Sequence, residues 1–337
     1  MPATIKDIAK KTGLGLATIS AYLNGVNVRE KNKILIEKAI KDLDFEVNEL
    51  ARGLKTNTTK TIGIIIPELS NIFCTEIITI MEDIFRSHGY AAIVCDCRTD
   101  PVLEQQAVEF LLQRRVDGII NIPVTDQNVH LKKAQKKNKP IVLIDRHISG
   151  IECDCVLVDN VKACEQAVQH LIEKNHIEIG IIVGPQKVFT AHQRLQGYKN
   201  ALKNNKIKIN QDLILSSDLT IDGGSEALKL LIKNNPDMSA VIVTNYEMTI
   251  GAVIAINDLD IKVPQQLSVI GFDNINFAKA TMPQLSIVTQ PLKEIAENTA
   301  HLMLERLAGD KTEFKAICLD TSFFNGNSIM PQINKRK

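Results

Sequence analysis

Hydrophobic and polar positions alternate along most of this chain in a pattern that predicts strands and helices in turn. From Thr61 onward, short apolar runs are separated by amphipathic stretches of helical length. Runs this continuous are typical of strands buried on both faces, which predicts mainly parallel sheets. The runs are Ile62–Ile66, Ala91–Cys95, Gly118–Ile122, Ile141–Ile144, Ile179–Val183, Leu213–Leu215, Ala240–Val243 and Leu267–Gly271. Because so many strands exceed one open sheet of about five or six, we expect two α/β lobes in tandem, divided near Asp159.

The start of the chain follows a different pattern, that of three short amphipathic helices. The first begins at Thr4, which can form a capping box with Asp7. Gly13 supplies a tight turn into a second helix of about residues 16–23, and a third covers about residues 31–43. The outer face of the second helix carries short side chains and hydroxyls, which allow close approach to a groove. This combination predicts a helix-turn-helix, whose second helix enters the major groove of DNA.

Charge and length support a division into a small head and a larger body. A chain of 337 residues usually needs more than one core. Its net charge is only +1, but residues 1–60 hold 11 Lys and Arg against 7 Asp and Glu, whereas the remainder holds 29 against 32. A basic head on a slightly acidic body suits a polyanionic partner for the head alone.

Several features indicate a cytoplasmic protein without a metal site. The charged N-terminus lacks the apolar core of a signal peptide, and no apolar run reaches the ~18–20 residues of a membrane span. Seven cysteines suggest reduced thiols rather than a disulfide framework. The pairs Cys95/Cys97 and Cys153/Cys155 leave metal binding open, but structural zinc sites usually have wider spacing and further ligands. We therefore expect these cysteines to pack in or beside strands, and we expect no cofactor.

Several motifs recur in one order along the chain. The head contains TIKDIAKKTG, ATIS and LNG, and Asn48–Leu54 reads NELARGL. The body contains IGIIIP ending at Pro67, RLQGY at Arg194–Tyr198 and GFDN at Gly271–Asn274. In these motifs, from Thr4 to about Leu319, the chain resembles the LacI/GalR family of bacterial transcription regulators.

The resemblance implies a three-helix head, a hinge and a two-lobe body with the periplasmic-binding-protein-like fold, in which the chain crosses between lobes three times. The implied domains are the head at 1–46, the hinge at 47–59, lobe one at 60–160 and 290–319, and lobe two at 161–289 and 320–337.

The resemblance also implies how DNA is read. Leu16, Ala17 and Ala21 are expected to contact bases, and hydroxyls and amides are expected to contact phosphates. A hinge leucine is expected to insert into the minor groove and kink the duplex. Relatives commonly have Arg where this chain has Ala21, so apolar contacts to thymine methyls become the expected mode. The candidates are Leu16, Ala17, Thr18, Ser20, Ala21, Asn24, Asn48 and Leu54.

A small-molecule effector is expected in the crevice beyond the carboxyl ends of the strands. The resemblance makes Arg194 and Asp273 the leading candidates, since an Arg fork and a carboxylate suit neighbouring hydroxyls or a ligand carboxylate. Arg146 could alternatively be a solvated loop residue. Asn245 is followed by Tyr246, whereas the family usually has Asp at that position. Leu219 stands where relatives carry a stacking Trp or Phe. The candidates are Asn71, Phe73, Asp145, Arg146, Arg194, Leu219, Asn245, Asp273 and Gln290.

The function we expect is that of a homodimeric repressor that binds a pseudo-palindromic operator and responds to a ligand. A sugar or sugar derivative is the first expectation, with a nucleobase, nucleoside or phosphorylated metabolite as the alternative. Control by a protein corepressor also stays open. A solute-binding protein would carry a secretion signal in place of the head. Nucleotide-binding and nucleophile-elbow motifs are absent, so we do not expect an enzyme.

Overall fold

Apolar side chains at helical spacing hold the first unit of the structure together. The computed structural model describes residues 3–23, 25–45 and 58–332, and it separates into two units, Met1–Lys60 and Thr61–Lys337. The predicted residues Asn24, Asn48 and Leu54 lie outside the described residues. The helices of the first unit are α1 (Ile5–Thr12), α2 (Leu16–Leu23) and α3 (Glu30–Asp42).

The head helices begin and end where their local chemistry requires. The Asp7 carboxylate accepts hydrogen bonds from the Thr4 backbone nitrogen at 2.9 Å and the Thr4 hydroxyl at 2.7 Å, which fixes the start of α1. Gly13 ends α1 with φ of +69°, a left-handed conformation that favours glycine. Ile8, Ile19 and Ile36, one from each helix, are fully buried together.

The second unit alternates strands and helices. Its helices are α4 (Ile72–Ser87), α5 (Pro101–Gln113), α6 (Val129–Lys136), α7 (Asn160–Glu173), α8 (Phe189–Asn204), α9 (Ile221–Asn234), α10 (Tyr246–Asp258), α11 (Ile275–Ala280) and α12 (Leu292–Leu307), with a 3₁₀ turn at Gln211–Leu213. Its strands are β1 (Thr61–Ile66), β2 (Ala91–Asp96), β3 (Gly118–Asn121), β4 (Ile141–Ile144), β5 (Asp154–Val158), β6 (Ile179–Val183), β7 (Ile214–Ser216), β8 (Ala240–Val243), β9 (Ser268–Phe272), β10 (Ser286–Thr289), β11 (Ala316–Leu319) and β12 (Ser322–Phe324).

The strands form two six-stranded sheets, one in each lobe. The orders are β11-β5-β4-β3-β1-β2 and β12-β10-β9-β8-β6-β7. Neighbouring strands are parallel except for β12, which runs antiparallel to β10. The predicted α/β architecture of two mainly parallel lobes is confirmed. The chain passes between the lobes after β5, after β10 and after β11.

Helices cover both faces of each sheet, which explains why central strands are apolar throughout. In lobe one, α4 and α12 pack on one face and α5 and α6 on the other. In lobe two, α7 and α8 pack on one face and α9 and α10 on the other. Strands such as β4 and β6 are therefore buried at every residue.

The last described residues are fastened to lobe two by a buried histidine and a buried serine. His176 contacts the Ser239 hydroxyl at 2.8 Å and the Met330 carbonyl at 2.9 Å through its two ring nitrogens. The Ser328 hydroxyl donates to the Val269 carbonyl at 2.6 Å and accepts from the Ser286 backbone nitrogen at 2.7 Å. These contacts hold a segment without regular structure against the amino ends of β8, β9 and β10.

Lobe one contains a buried ion pair between distant parts of the chain. Arg306 of α12 donates two hydrogen bonds to Asp154 of β5, at 2.7 and 2.8 Å. The Lys315 backbone nitrogen donates to the same carboxylate at 2.8 Å. The pair therefore joins β5, α12 and the approach to β11.

Within the described part of the chain, no helix is both long and apolar enough to cross a membrane.

Candidate functional site

The carboxyl ends of strands from both lobes face one cavity of about 680 Å³. Loops after β1, β3 and β4 line it from lobe one, and the first turns of α9 and α10 line it from lobe two. All nine residues predicted for effector binding lie on its wall: Asn71, Phe73, Asp145, Arg146, Arg194, Leu219, Asn245, Asp273 and Gln290. Their contact with a ligand remains a prediction.

Arg194 is held in place by residues of lobe two. Its side chain is 7% exposed, and its Nε donates to the Asn160 side chain at 2.7 Å. Nη1 donates to the Thr244 carbonyl, and the guanidinium carbon lies 4.6 Å from the centre of the Phe272 ring. A guanidinium fixed by this many partners presents its remaining edge in one orientation.

Two carboxylates of the cavity lie within the electrostatic reach of Arg194, one in each lobe. Burial raises the pKa of Asp145, while Arg194 and Arg146 oppose that rise. Burial also raises the pKa of Asp273, opposed by Arg194 and by a 2.8 Å hydrogen bond that Gln290 donates. The pair of carboxylates around one guanidinium offers acceptors beside donors, which suits adjacent hydroxyl groups.

Two of the predicted cavity residues also cap helices. The Asn71 side-chain oxygen accepts from the Phe73 backbone nitrogen at 2.9 Å and begins α4. The Asn245 side-chain oxygen accepts from the Met248 backbone nitrogen at 2.8 Å and begins α10. Because capping uses the acceptor oxygen of each amide, chiefly the amide nitrogens remain for other contacts.

Two buried polar atoms at the cavity have no hydrogen-bond partner among the described residues. One is Nε of Arg146, a residue that is only 6% exposed. Its charged neighbour Asp126 lies 3.9 Å from Nη1. The interpretation of Arg146 as a solvated loop residue is therefore wrong. The other atom is Oε1 of Gln290. A buried donor and a buried acceptor without partners are an energetic cost that a polar ligand can remove.

Three residues of the cavity wall adopt left-handed backbone conformations. The φ angle is 71° at Asp145, 71° at Leu219 and 63° at Asp273. The conformation is costly for Leu219 in particular, because leucine has no side-chain hydrogen bond to offset it. A Cβ atom placed on Gly184 would lie only 2.5 Å from the Leu219 Cδ2 atom, so the two residues are in close contact. The wall at this point is therefore formed by a leucine in close contact with a glycine backbone.

The cavity also contains polar residues that the sequence analysis missed. Glu68, Asp222, Tyr246 and Glu247 all lie on its wall. Tyr246 appeared only as a departure from the usual Asn-Asp pair, and its ring packs edge-on against Phe277 at 5.7 Å. Glu247 follows the end of β8 as Asn245 does, so its position at the carboxyl edge of the sheet was the signal that could have identified it.

In the head, the predicted DNA-reading residues lie on one helix. Leu16 is 48% exposed and Ala17 is also exposed, whereas Thr18, Ser20 and Ala21 are half-buried. The apolar side of α2 is occupied by Ile19, which is fully buried. The outer face of α2 thus offers short side chains, and its contact with bases remains a prediction.

The paired cysteines pack inside lobe one. Cys97, Cys153 and Cys155 are buried and Cys95 is half-buried, all as free thiols. Burial raises the pKa of Cys97 and of Cys153 to about 12. Within residues 3–23, 25–45 and 58–332, no group of three or more His, Cys, Asp and Glu side chains is arranged to hold a metal ion.

Comparisons with known proteins give one consistent assignment. A family profile described as "Periplasmic binding proteins and sugar binding domain of LacI family" matches residues 59–324. The repressor CytR of Escherichia coli K12 is 31% identical over 91% of this chain and 90% of its own. Catabolite control protein A of Priestia megaterium is 31% identical over 90% of this chain and 92% of its own.

Solved structures support the same architecture. The Lac repressor dimer bound to operator and an anti-inducer matches with a TM-score of 0.87 at 22% identity, over 98% of this chain and 100% of that one. This likeness confirms the fold, with a small helical head and a two-lobe body. Because the relatives are transcription regulators, the expectation that the chain is not an enzyme is also confirmed. The chain belongs to the LacI/GalR family of transcription regulators.

Proposed function

We propose that this regulator binds a pseudo-palindromic operator as a homodimer in the cytoplasm, and that a small molecule in the cavity between its lobes controls the binding. The domain division proposed is the head at 1–46, the hinge at 47–59 and the two lobes of the body. The Lac repressor that matches this chain is itself a dimer on its operator, which supports the proposed assembly.

The observation that carries the proposal is the convergence of predicted residues from both lobes on one cavity. Asp145 from lobe one and Asp273 from lobe two share electrostatic contact with Arg194. A ligand that binds both sides stabilises one relative arrangement of the lobes, and this shifts the population toward that arrangement. In a dimer the shift changes the spacing of the hinge segments and so the register of the two heads on DNA.

A sugar or sugar derivative is the ligand class that we propose first. The cavity combines a fixed guanidinium, two carboxylates and several amides, which suit a ring with many hydroxyls. Phe73 and Tyr246 supply aromatic surface for the ring face, although Phe73 also packs against the core of lobe one. A nucleobase or nucleoside is the alternative, and control by a protein corepressor is a further one.

The test combines DNA binding with ligand binding in the full chain. Operator DNA is obtained by selection from a random library, and its affinity is measured by fluorescence anisotropy with and without candidate sugars and nucleosides. An effector should change the operator affinity by about 5–150-fold, the usual range for coupled sites. Asp273→Asn should abolish this response without weakening DNA binding, whereas Arg86→Ala, an exposed control on α4, should retain it. A response that persists in Asp273→Asn would contradict the proposed site.

Assembly is measured separately. Sedimentation velocity at micromolar concentration should show a dimer, because two half-sites require two heads. A monomer that binds a full operator without dimerising would contradict the proposed symmetry.

A further inference from the structure

The cavity wall contains more negative than positive charge. Carboxylates outnumber guanidinium groups by five to two. The carboxylates belong to Glu68, Asp145, Asp222, Glu247 and Asp273, and the guanidinium groups to Arg146 and Arg194. Glu68 and Asp222 are exposed at the rim, whereas the other three carboxylates are half-buried inside.

Both arginines already have acidic neighbours. The charge of Arg194 opposes the burial-driven rise in the pKa of Asp145 and of Asp273. Arg146 interacts with Asp145 and lies 3.9 Å from Asp126. Acidic neighbours therefore offset part of the positive charge of the cavity.

Glu247 is in a different situation. Its Oε2 accepts a hydrogen bond from the Asn245 amide, and the N-terminus of α10 stabilises its charge. Burial raises the pKa of Glu247, and the acidic side chains of Asp273 and Glu68 raise it further, while the backbone amide of Glu247 and the Asn245 side chain oppose the rise. It forms no ion pair with any of the described Lys, Arg or His side chains. A half-buried carboxylate in acidic surroundings is compensated either by protonation or by a cation, and a bound cation favours its charged form.

Resting on the proposed function of this cavity, we propose that the effector is a hydroxylated molecule with a protonated amine, as in an amino sugar, and that the amine binds against Glu247. Hydroxyl oxygens of the ligand accept hydrogen bonds from Arg194 and from the unpartnered Nε of Arg146. The cation and the hydroxyl acceptors of the ligand are thus matched to different residues of the cavity wall.

The same charge distribution opposes a phosphorylated ligand. A phosphate carries about −1.5 to −2 charges and would share the cavity with the exposed carboxylates of Glu68 and Asp222. The charge of the two arginines that it would need is already partly offset by Asp145, Asp273 and Asp126. Like charges across a binding site weaken the binding of such a ligand. Among the ligand classes left open by the sequence, phosphorylated metabolites are therefore disfavoured.

The test uses matched ligands that differ in one group. The full chain is titrated by calorimetry and thermal shift with three series, each containing an amine, a neutral and a phosphorylated ligand. Two series are sugars: glucosamine, glucose and glucose 6-phosphate, and galactosamine, galactose and galactose 6-phosphate. The third series is 3′-amino-3′-deoxyadenosine, adenosine and AMP. Binding to the folded state raises the melting temperature by mass action. The amine of at least one series should bind at least about tenfold more tightly than its neutral and phosphorylated counterparts.

Two variants separate Glu247 from a general electrostatic effect. Glu247→Gln keeps the hydrogen bond to Asn245 and should remove the preference for the amine, while affinity for the neutral ligand changes less than about twofold. Glu226→Gln removes an exposed charge on α9 outside the cavity and should leave the preference intact.

The outcomes distinguish this inference from the proposed function. Equal or tighter binding of neutral or phosphorylated ligands, or an amine preference that survives Glu247→Gln, would overturn the amine inference and leave ligand control in place. If no ligand of any series raised the melting temperature of the chain, both the amine inference and ligand control would be overturned.

Discussion

At the residue scale, the ion pair between Arg306 and Asp154 illustrates how a buried charge depends on its partner. Both side chains are almost fully buried, so Asp154→Ala removes the two short charged hydrogen bonds of the guanidinium and leaves Asp310, 3.7 Å from Nη1, as its remaining ion-pair partner. We expect a loss of about 3–5 kcal/mol in the free energy of unfolding, measured by urea denaturation. Asp258→Ala removes the exposed partner of Lys229 and should cost less than about 1 kcal/mol. Equal losses in the two variants would show that the buried pair is not specially dependent on its partner.

The stability of lobe two should depend on the protonation of His176. Burial lowers its pKa below the ordinary value of 6.5, because charging the ring inside the lobe is unfavourable. The unfolded chain then takes up a proton before the folded chain does, so the His176 contribution is present above pH 6.5 and is lost as the pH falls below it.

The control for this pH dependence is His176→Gln, which keeps a hydrogen-bonding side chain but does not titrate. The melting temperature of the wild type should fall more than that of the variant between about pH 7 and about pH 5.5. His170 also has a pKa lowered by burial, and it contributes equally to both proteins. Parallel pH profiles would show that His176 does not titrate in this range.

Individual site residues were predictable where two indications agreed: a position beyond the carboxyl end of a parallel strand, and a match to a family motif. Arg194, Asp273 and Gln290 were expected at the crevice, and the structure places all three on the cavity wall. The charge of the cavity was not predictable, because it depends on Glu68 and Glu247 lining the same cavity from different lobes. That arrangement is a property of the folded body rather than of either sequence segment.

At the element scale, α9 and α10 pack so closely that their glycines contact the opposite backbone. A Cβ atom on Gly251 would overlap the Ile221 carbonyl oxygen, and one on Gly224 would overlap the backbone of Met248. Because backbone atoms cannot move aside as side chains do, Gly251→Ala should lower the free energy of unfolding by about 1–3 kcal/mol. Asn257→Ala, on the exposed side of α10, should change it by less than about 0.5 kcal/mol. A Gly251→Ala variant as stable as the wild type would contradict this packing.

The reading helix α2 offers a test of sequence recognition. If the outer face of α2 contacts base edges, Ala21→Arg introduces a side chain able to bind guanine and should change the preferred operator. Thr18→Ala should instead weaken all operators to a similar degree, because phosphate contacts do not depend on sequence. Selection from a random DNA library measures both effects. An unchanged preference in Ala21→Arg would contradict the assigned face.

Strands with a continuous apolar run were predicted to within one residue, whereas the interior strands β5 and β10 and the edge strands β11 and β12 were not predicted. The runs Ile141–Ile144 and Ile179–Val183 coincide with β4 and β6, since a strand covered by helices on both sides has no polar position. Strand β5 begins with Asp154, whose burial depends on an arginine more than 150 residues away. The edge strands β11 and β12 are short and partly exposed, so their sequences lack a continuous apolar run.

At the scale of the whole molecule, the proposed function requires that the body control a DNA-binding head. The resemblance assigns the junction to Leu54, which lies outside the described residues. Leu54→Ala should weaken specific operator binding by a few kcal/mol through loss of the wedge that kinks the DNA. Non-specific binding should change much less, since phosphates dominate it.

The effector response should shrink in the same Leu54→Ala variant, while ligand affinity in the absence of DNA stays the same. Anisotropy titrations with and without the effector measure both quantities. Full operator affinity together with a full ligand response would rule out control through this segment.

The three passages of the chain between the lobes have a consequence for biosynthesis. Helix α12 supplies part of the lobe-one core through Ile295, Ala296 and Met303, yet it is made only after nearly all of lobe two. Lobe one therefore cannot finish folding on the ribosome while its own first strands emerge, and it must wait for residues beyond 290. Each lobe is built from discontinuous segments, so neither can be exchanged between proteins as one continuous cassette.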